Sequence, residues 1–158
     1  MQDAIRQALA LTRSSSARER TVDITTTGRR SGRPRRIEIW FYRAGGAIYL
    51  SGLPGERSWY ANLRARPAFT LHLKHGVRAD LPATARFVTD PADRHRILSE
   101  IVDDLNQPHD PARIVQPTRL ADWENGSPLV EIVLDDRPSP DLRPSERSSR
   151  SEDTRTSA

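Results

Sequence analysis

The chain has 158 residues, enough for one domain with a single core of ordinary size. It contains no cysteine, which excludes disulfides, thiolate metal centres and a cysteine nucleophile, and the expectation that follows is a cytoplasmic protein. The net charge of +4 is modest, but Lys74 is the single lysine and every other basic residue is arginine, so information lies in where the arginines cluster.

No apolar run approaches the roughly 20 residues that span a bilayer, and Met1 to Arg20 lacks a signal-peptide core. Residues 1–20 are expected to form an N-terminal helix, with Ile5, Leu9 and Leu11 on one side, weakened at Ser14-Ser15-Ser16. Strands are expected at about 21–27, 36–43 and 46–52, the last two joined by Ala44-Gly45-Gly46. In the second of these Ile37, Ile39 and Phe41 share one face and Glu38, Trp40 and Tyr42 the other. Both faces carry bulk, so both should be covered. Ser58 can cap a short helix through Trp59 to Leu63 that must end before Pro67.

Two more strands are expected at about 68–75 and 78–89, turning near Gly76. Asp90-Pro91-Ala92-Asp93 reads as a helix start, and Ile97, Leu98, Ile101, Val102 and Leu105 recur at helical spacing to give that helix a buried side. Residues 106–118 read as a long loop with a short strand at 112–115, and Leu129 to Leu134 as a central strand. A domain over 21–136 is then followed by a polar tail, 137–158, expected to be disordered. The fold class is mainly β: a barrel of about six antiparallel strands with peripheral helices.

The segment Thr25 to Arg36 carries five arginines between two strand-forming stretches. Gly28 and Gly32 permit positive φ and close approach of a ligand, free N–H groups can form an anion nest, and arginine forks suit phosphate or carboxylate. It is not a nucleotidase phosphate loop, because the Lys-Ser/Thr ending is absent and a strand follows. His72 and His75 stand three positions apart, an odd interval, so on a strand they face apart and no metal site is expected.

Two motifs together resemble the deazaflavin-dependent nitroreductase family, within the superfamily of FMN-binding split β-barrels. They are Thr26-Thr27-Gly28-Arg29-Arg30-Ser31-Gly32 with Arg35 after it, and Ser51 followed by Trp59-Tyr60-Ala61-Asn62-Leu63-Arg64-Ala65-Arg66-Pro67. The resemblance, over about residues 21–135, implies a split β-barrel that binds coenzyme F-420, with FMN as the alternative cofactor, and transfers hydride to a small organic acceptor. It implies that Arg29, Arg30, Ser31, Gly32 and Arg35 hold phosphate, that Ser51 and Gly52 approach the ring, with Ser51 donating a hydrogen bond there, and that Trp59 and Asn62 position the adjoining helix. It also implies a homodimer. The chain departs from the family pattern after Ser51, where Gly52-Leu53-Pro54-Gly55 stand in place of a lysine and paired glycines, and it has no tyrosine after Tyr60.

A de-energised version of the same reading is a split barrel that only stores a flavin or another ligand. A rival from another class is minor-groove DNA binding, because Gly32-Arg33-Pro34-Arg35-Arg36 is similar to the core of arginine hook motifs, although Ser31 replaces their first arginine. The strongly β-forming flanks argue against a hook, so no nucleic-acid partner is expected.

Overall fold

A computed structural model describes residues 2–107 and 118–135. Six strands, β1 (Thr21–Thr27), β2 (Pro34–Ala44), β3 (Ala47–Ser51), β4 (Ala68–Leu73), β5 (Ala79–Phe87) and β6 (Leu129–Leu134), close into an antiparallel barrel in the order β1-β2-β3-β6-β5-β4. The first three form the expected meander. β1 then reaches across to β4, where Ile24 sits opposite Leu71.

Period-2 alternation supplies the barrel core. β1 buries Val22, Ile24 and Thr26, and Phe41, Leu50, Leu71 and Val130 meet them from the other strands. The opposite face of β2 and β3 is apolar too, and there Tyr42 and Tyr49 pack under two helices, α4 (Pro91–Leu105) and α5 (Leu120–Gly126). Both faces of β2 are therefore covered over its second half, as its bulk requires. Tyr42 meets Trp123 edge-to-face at 6.3 Å, and burial pushes its phenol well above the ordinary range, so it stays protonated.

Helix α4 begins where the sequence says it should. Asp90 accepts from the Asp93 N–H at 3.0 Å, Pro91 opens the first turn, and the five expected apolar residues form the buried side. The N-terminal segment differs from its expected single helix. It forms α1 (Asp3–Leu9) and a one-turn α2 (Ala17–Arg20), separated by an irregular stretch in which Ser15 bonds back to Thr12. Ser16 starts the second with a reciprocal capping box to Glu19, so the serine run begins a helix, the first having already ended at Leu9. Leu9 and Leu11 join the barrel core from this segment. Arg20, 2% exposed, ties it to α4 through Asp104 at 2.7 Å and to the Ser15 and Thr12 carbonyls.

The remaining helix, α3 (Ser58–Ala65), lies against the end of the barrel where β1 finishes. Ser58 is its first helical residue and not its cap; Arg57 holds the cap position and makes no side-chain cap bond. The strand and loop expected at 112–115 and 106–118 fall largely outside the described residues, as does the tail.

Candidate functional site

The six residues 28–33 that join β1 to β2 fold into a closed turn. The Gly28 N–H donates to the Arg33 carbonyl and the Gly32 N–H to the Gly28 carbonyl, both at 2.8 Å. The two glycines serve different ends. Gly32 has φ of +71°, where an L side chain is strained, whereas Gly28 is needed for space: a Cβ there would lie 2.6 Å from Ser31 Oγ and 3.3 Å from the Arg33 carbonyl.

Asn62, buried on α3, pins this turn. Its Oδ1 accepts from the Arg29 N–H at 3.0 Å and from the Arg29 guanidinium at 3.3 Å, while its Nδ2 donates to Thr26 Oγ1 at 3.2 Å. Ser31 Oγ accepts from the Arg33 N–H. The expected nest of free N–H groups is thus smaller than the turn itself. Only the Arg30 and Ser31 N–H groups, with the Ser31 hydroxyl proton, stay uncommitted among the described residues.

These groups line a cavity of about 340 Å³ at the mouth of the barrel. Arg29, Arg30 and Arg35 supply its charge, and none of the three pairs with a carboxylate among the described residues. Ile37 and Trp59 supply an apolar wall. Ile37 belongs to the barrel-facing row of β2 but lies beyond the filled core, which leaves it 37% exposed. Three guanidinium groups beside two unspent N–H groups are donors of the kind that could receive phosphate or a similar oxyanion.

A second cavity of about 910 Å³ adjoins the first and shares Arg29 and Ser58 with it. It lies between α3, the loop before it and the end of α5. Arg94 of α4 builds its far wall, donating to the carbonyls of Val88, Trp123, Glu124 and Ser127, which anchors the C-terminal end of α5.

Of the residues singled out from sequence, Arg29, Arg30, Ser31, Arg35, Trp59 and Asn62 line the first cavity. Gly32 shapes the turn without lining it. Ser51 and Gly52 line neither cavity. Ser51 is 2% exposed and its hydroxyl donates to the Pro128 carbonyl at 2.6 Å, so the proton expected to face a ligand instead closes β3 against the start of β6. Glu38 points away from the cavities to Lys74, and Tyr42 is buried under the helices. His72 bridges Thr25 Oγ1 and Asp80 Oδ1 at 2.7 Å each, which spends both ring nitrogens, and His75 lies past the end of β4. Among the described residues no group of three or more His, Asp or Glu could hold a metal ion. No helix there is long and apolar enough to cross a membrane.

Sequence reasoning missed Thr26, Ile37 and Ser58 as lining residues, and it missed the second cavity. Ile37 was readable as the end of a barrel-facing row. The second cavity was not, since its walls come from segments far apart in the chain.

A closed six-stranded antiparallel barrel with peripheral helices, here with a cationic cavity at one mouth, defines the class: a split β-barrel. Solved structures share it. A conserved hypothetical protein from Mycobacterium tuberculosis is 20% identical with a TM-score of 0.58, covering 85% of this chain and 81% of that one. A putative pyridoxamine 5'-phosphate oxidase from Listeria innocua is 16% identical with a TM-score of 0.55, covering 84% and 92%. An F420 reductase is 16% identical with a TM-score of 0.50, covering 73% and 87%. At such identities these are likenesses of fold. Residues 8–112 match the F420H(2)-dependent quinone reductase family, and the chain belongs to that family.

Proposed function

We propose that this chain is an oxidoreductase that binds coenzyme F-420 at the barrel mouth and passes hydride to a small organic acceptor, a quinone, nitro compound or enone. The observation that carries the reading is the set of three arginines without carboxylate partners around the first cavity, in a chain of a family described by the reduced coenzyme. The residues fit the coenzyme. Arg30, Arg35 and the Arg30 and Ser31 N–H groups would hold its phosphate, with Arg29 held ready by Asn62. The first cavity alone is too small for phosphate and a three-ring system together, and the second, which shares Arg29 and Ser58 with it, would supply the room.

When bound, the coenzyme supplies a hydride, which with one proton from solvent reduces a quinone to a hydroquinone. The protein's share is binding and exclusion of water: the cationic turn anchors one end, and Ile37 and Trp59 offer a dry apolar surface beside it. Ser51 takes no part in this scheme. Its donor is spent on Pro128, and an ordinary strand-closing role accounts for it.

The test is a fluorescence titration of the purified chain with oxidised coenzyme F-420, beside FMN and an A·T-rich duplex, followed by an acceptor screen with reduced coenzyme. Saturable binding of the deazaflavin with turnover is the expected result. Binding without turnover would make the chain a storage protein, and binding of FMN alone would overturn the cofactor.

A further inference from the structure

Four arginines line the second cavity, and three of them donate from their guanidinium groups to other parts of the protein. Arg94 serves four backbone carbonyls, Arg57 donates to the carbonyls of Leu53 and Glu56, and Arg29 is held by Asn62. Arg64 is different. Its guanidinium carbon lies 5.9 Å from the centre of the Tyr60 ring and 5.6 Å from that of Phe87, two rings that meet edge-to-face at 5.3 Å. It donates to no carboxylate or carbonyl among the described residues.

Contact with two ring systems restrains a planar cation without spending any of its N–H groups. That is the condition in which arginine receives an oxyanion at small entropic cost. The carboxylates on the cavity do not satisfy it: Glu124 is engaged by His95 at 2.8 Å, and Glu56 makes no ion pair with it.

We infer that Arg64 is a specificity-determining residue for the second substrate, and that the acceptor entering this cavity carries an anionic group, such as a carboxylate or sulfonate, which Arg64 holds. The inference rests on the proposed reaction and names the class of acceptor. No bond changes at Arg64; it binds and orients. Neutral acceptors of the same ring size reach the same space but forgo this contact.

Calorimetric titration of the full chain, without coenzyme, compares 1,4-naphthoquinone-2-sulfonate with neutral 1,4-naphthoquinone. The sulfonate should bind at least tenfold more tightly, and in Arg64→Gln the two affinities should come within about twofold of each other. Equal affinities in the unaltered chain, or a preference that survives Arg64→Gln, would overturn the inference. With reduced coenzyme F-420 present, the ratio of kcat/KM for the sulfonate to that for the neutral quinone should fall about tenfold in Arg64→Gln. Turnover of both compounds with equal kcat/KM sinks the anionic-acceptor inference alone. Absence of coenzyme oxidation with either compound sinks the proposed reaction and the acceptor role with it.

Discussion

Asn62 and Arg29, 33 residues apart, are joined by two hydrogen bonds to one oxygen: Oδ1 of Asn62 accepts from both the backbone N–H and the guanidinium of Arg29. The same side chain donates to Thr26, so a single buried amide ties α3 to the end of β1 and to the first residue of the cationic turn. Replacing it with leucine keeps the volume and removes all three bonds. The Asn62→Leu variant should lose about 1 to 3 kcal/mol of stability, the usual cost of leaving buried polar groups unpaired. It should also bind the coenzyme about tenfold more weakly, because Arg29 is released to many rotamers. Urea denaturation and a fluorescence titration read the two effects separately, and unchanged affinity would show that Arg29 needs no holding.

Gly28→Ala tests the turn from the other side. The added Cβ would lie 2.6 Å from Ser31 Oγ, which can rotate away, and 3.3 Å from the Arg33 carbonyl, which is backbone. The expected cost is about 1 to 3 kcal/mol, as for other small overpacked sites. Affinity for inorganic pyrophosphate should fall in parallel, since Ser31 is displaced from the cavity it lines. A variant as stable as the unaltered chain would mean that the turn relaxes freely.

The grip itself is tested at Arg30 and Arg35. Charge-assisted hydrogen bonds are worth roughly 1.5 to 3 kcal/mol each, so the double alanine variant should bind coenzyme F-420 about 2 to 5 kcal/mol more weakly. The remaining affinity should also depend less on salt than that of the unaltered chain. Isothermal titration at two ionic strengths measures both, and an affinity that does not change would remove these arginines from the site.

Two neighbouring carboxylates on α4 should behave very differently. Asp104 holds the buried Arg20, whereas Asp103 meets Arg13 in the open, with side chains 77% and 53% exposed. Asp104→Ala leaves a buried cation without its partner and should cost about 3 to 5 kcal/mol. Asp103→Ala should cost less than about 1 kcal/mol. Thermal unfolding of the two variants side by side makes the comparison, and similar losses would contradict the role given to Arg20.

On the outer face of the barrel, burial pushes the Asp23 carboxyl up, but hydrogen bonds from Lys74 at 2.7 Å and Arg36 at 2.9 Å outweigh it and hold the group below the usual carboxylate range. A depressed folded value means that the stabilisation is complete above the unfolded value, near pH 4, and is lost as pH falls through the lower folded value. Lys74, raised by its bonds to Asp23 and Glu38, behaves in the opposite sense: its contribution is complete below the ordinary lysine value and is lost as pH rises through the higher folded one. The melting temperature of Asp23→Asn should therefore be lower at pH 7 and fall less steeply between pH 5 and pH 2. Parallel curves for variant and unaltered chain would exclude the network from acid stability.

The barrel and α4 were legible because their signals are local and periodic: alternation in β1, and Asp90-Pro91 followed by five apolar residues at helical spacing. The cationic turn was legible because its residues are adjacent in the chain. The surroundings of Ser51 were not legible, for the converse reason. The carbonyl that takes its proton belongs to Pro128, 77 residues away, and no local pattern reports that contact. Helix α5 gave little sign of itself, being seven residues long with one buried anchor, Trp123, and a glycine at its end. The second cavity needs that helix together with α3 and the loop before it, so nothing in one stretch of sequence could announce it. For Gly28 the residue type was read correctly and the reason was not: crowding by Ser31 and Arg33, and not a left-handed backbone, requires glycine there.

Closure of the barrel between β4 and β1 has a consequence for how copies of this chain can meet. Each of the six strands has a neighbour on both sides, but the pairing is partial: β2 meets β3 only from Phe41 to Ala44, so Pro34 to Trp40 are paired on the β1 side alone, and β6 meets β3 only from Leu129 to Glu131. Extension of the sheet from one molecule into the next is confined to those stretches, and along β2 it is discouraged by Pro34 and by the charges of Arg35, Arg36 and Glu38. Assembly through side chains on the curved outer wall or the helices has no such limit, and there a few substitutions can make or abolish it without disturbing the ladder within.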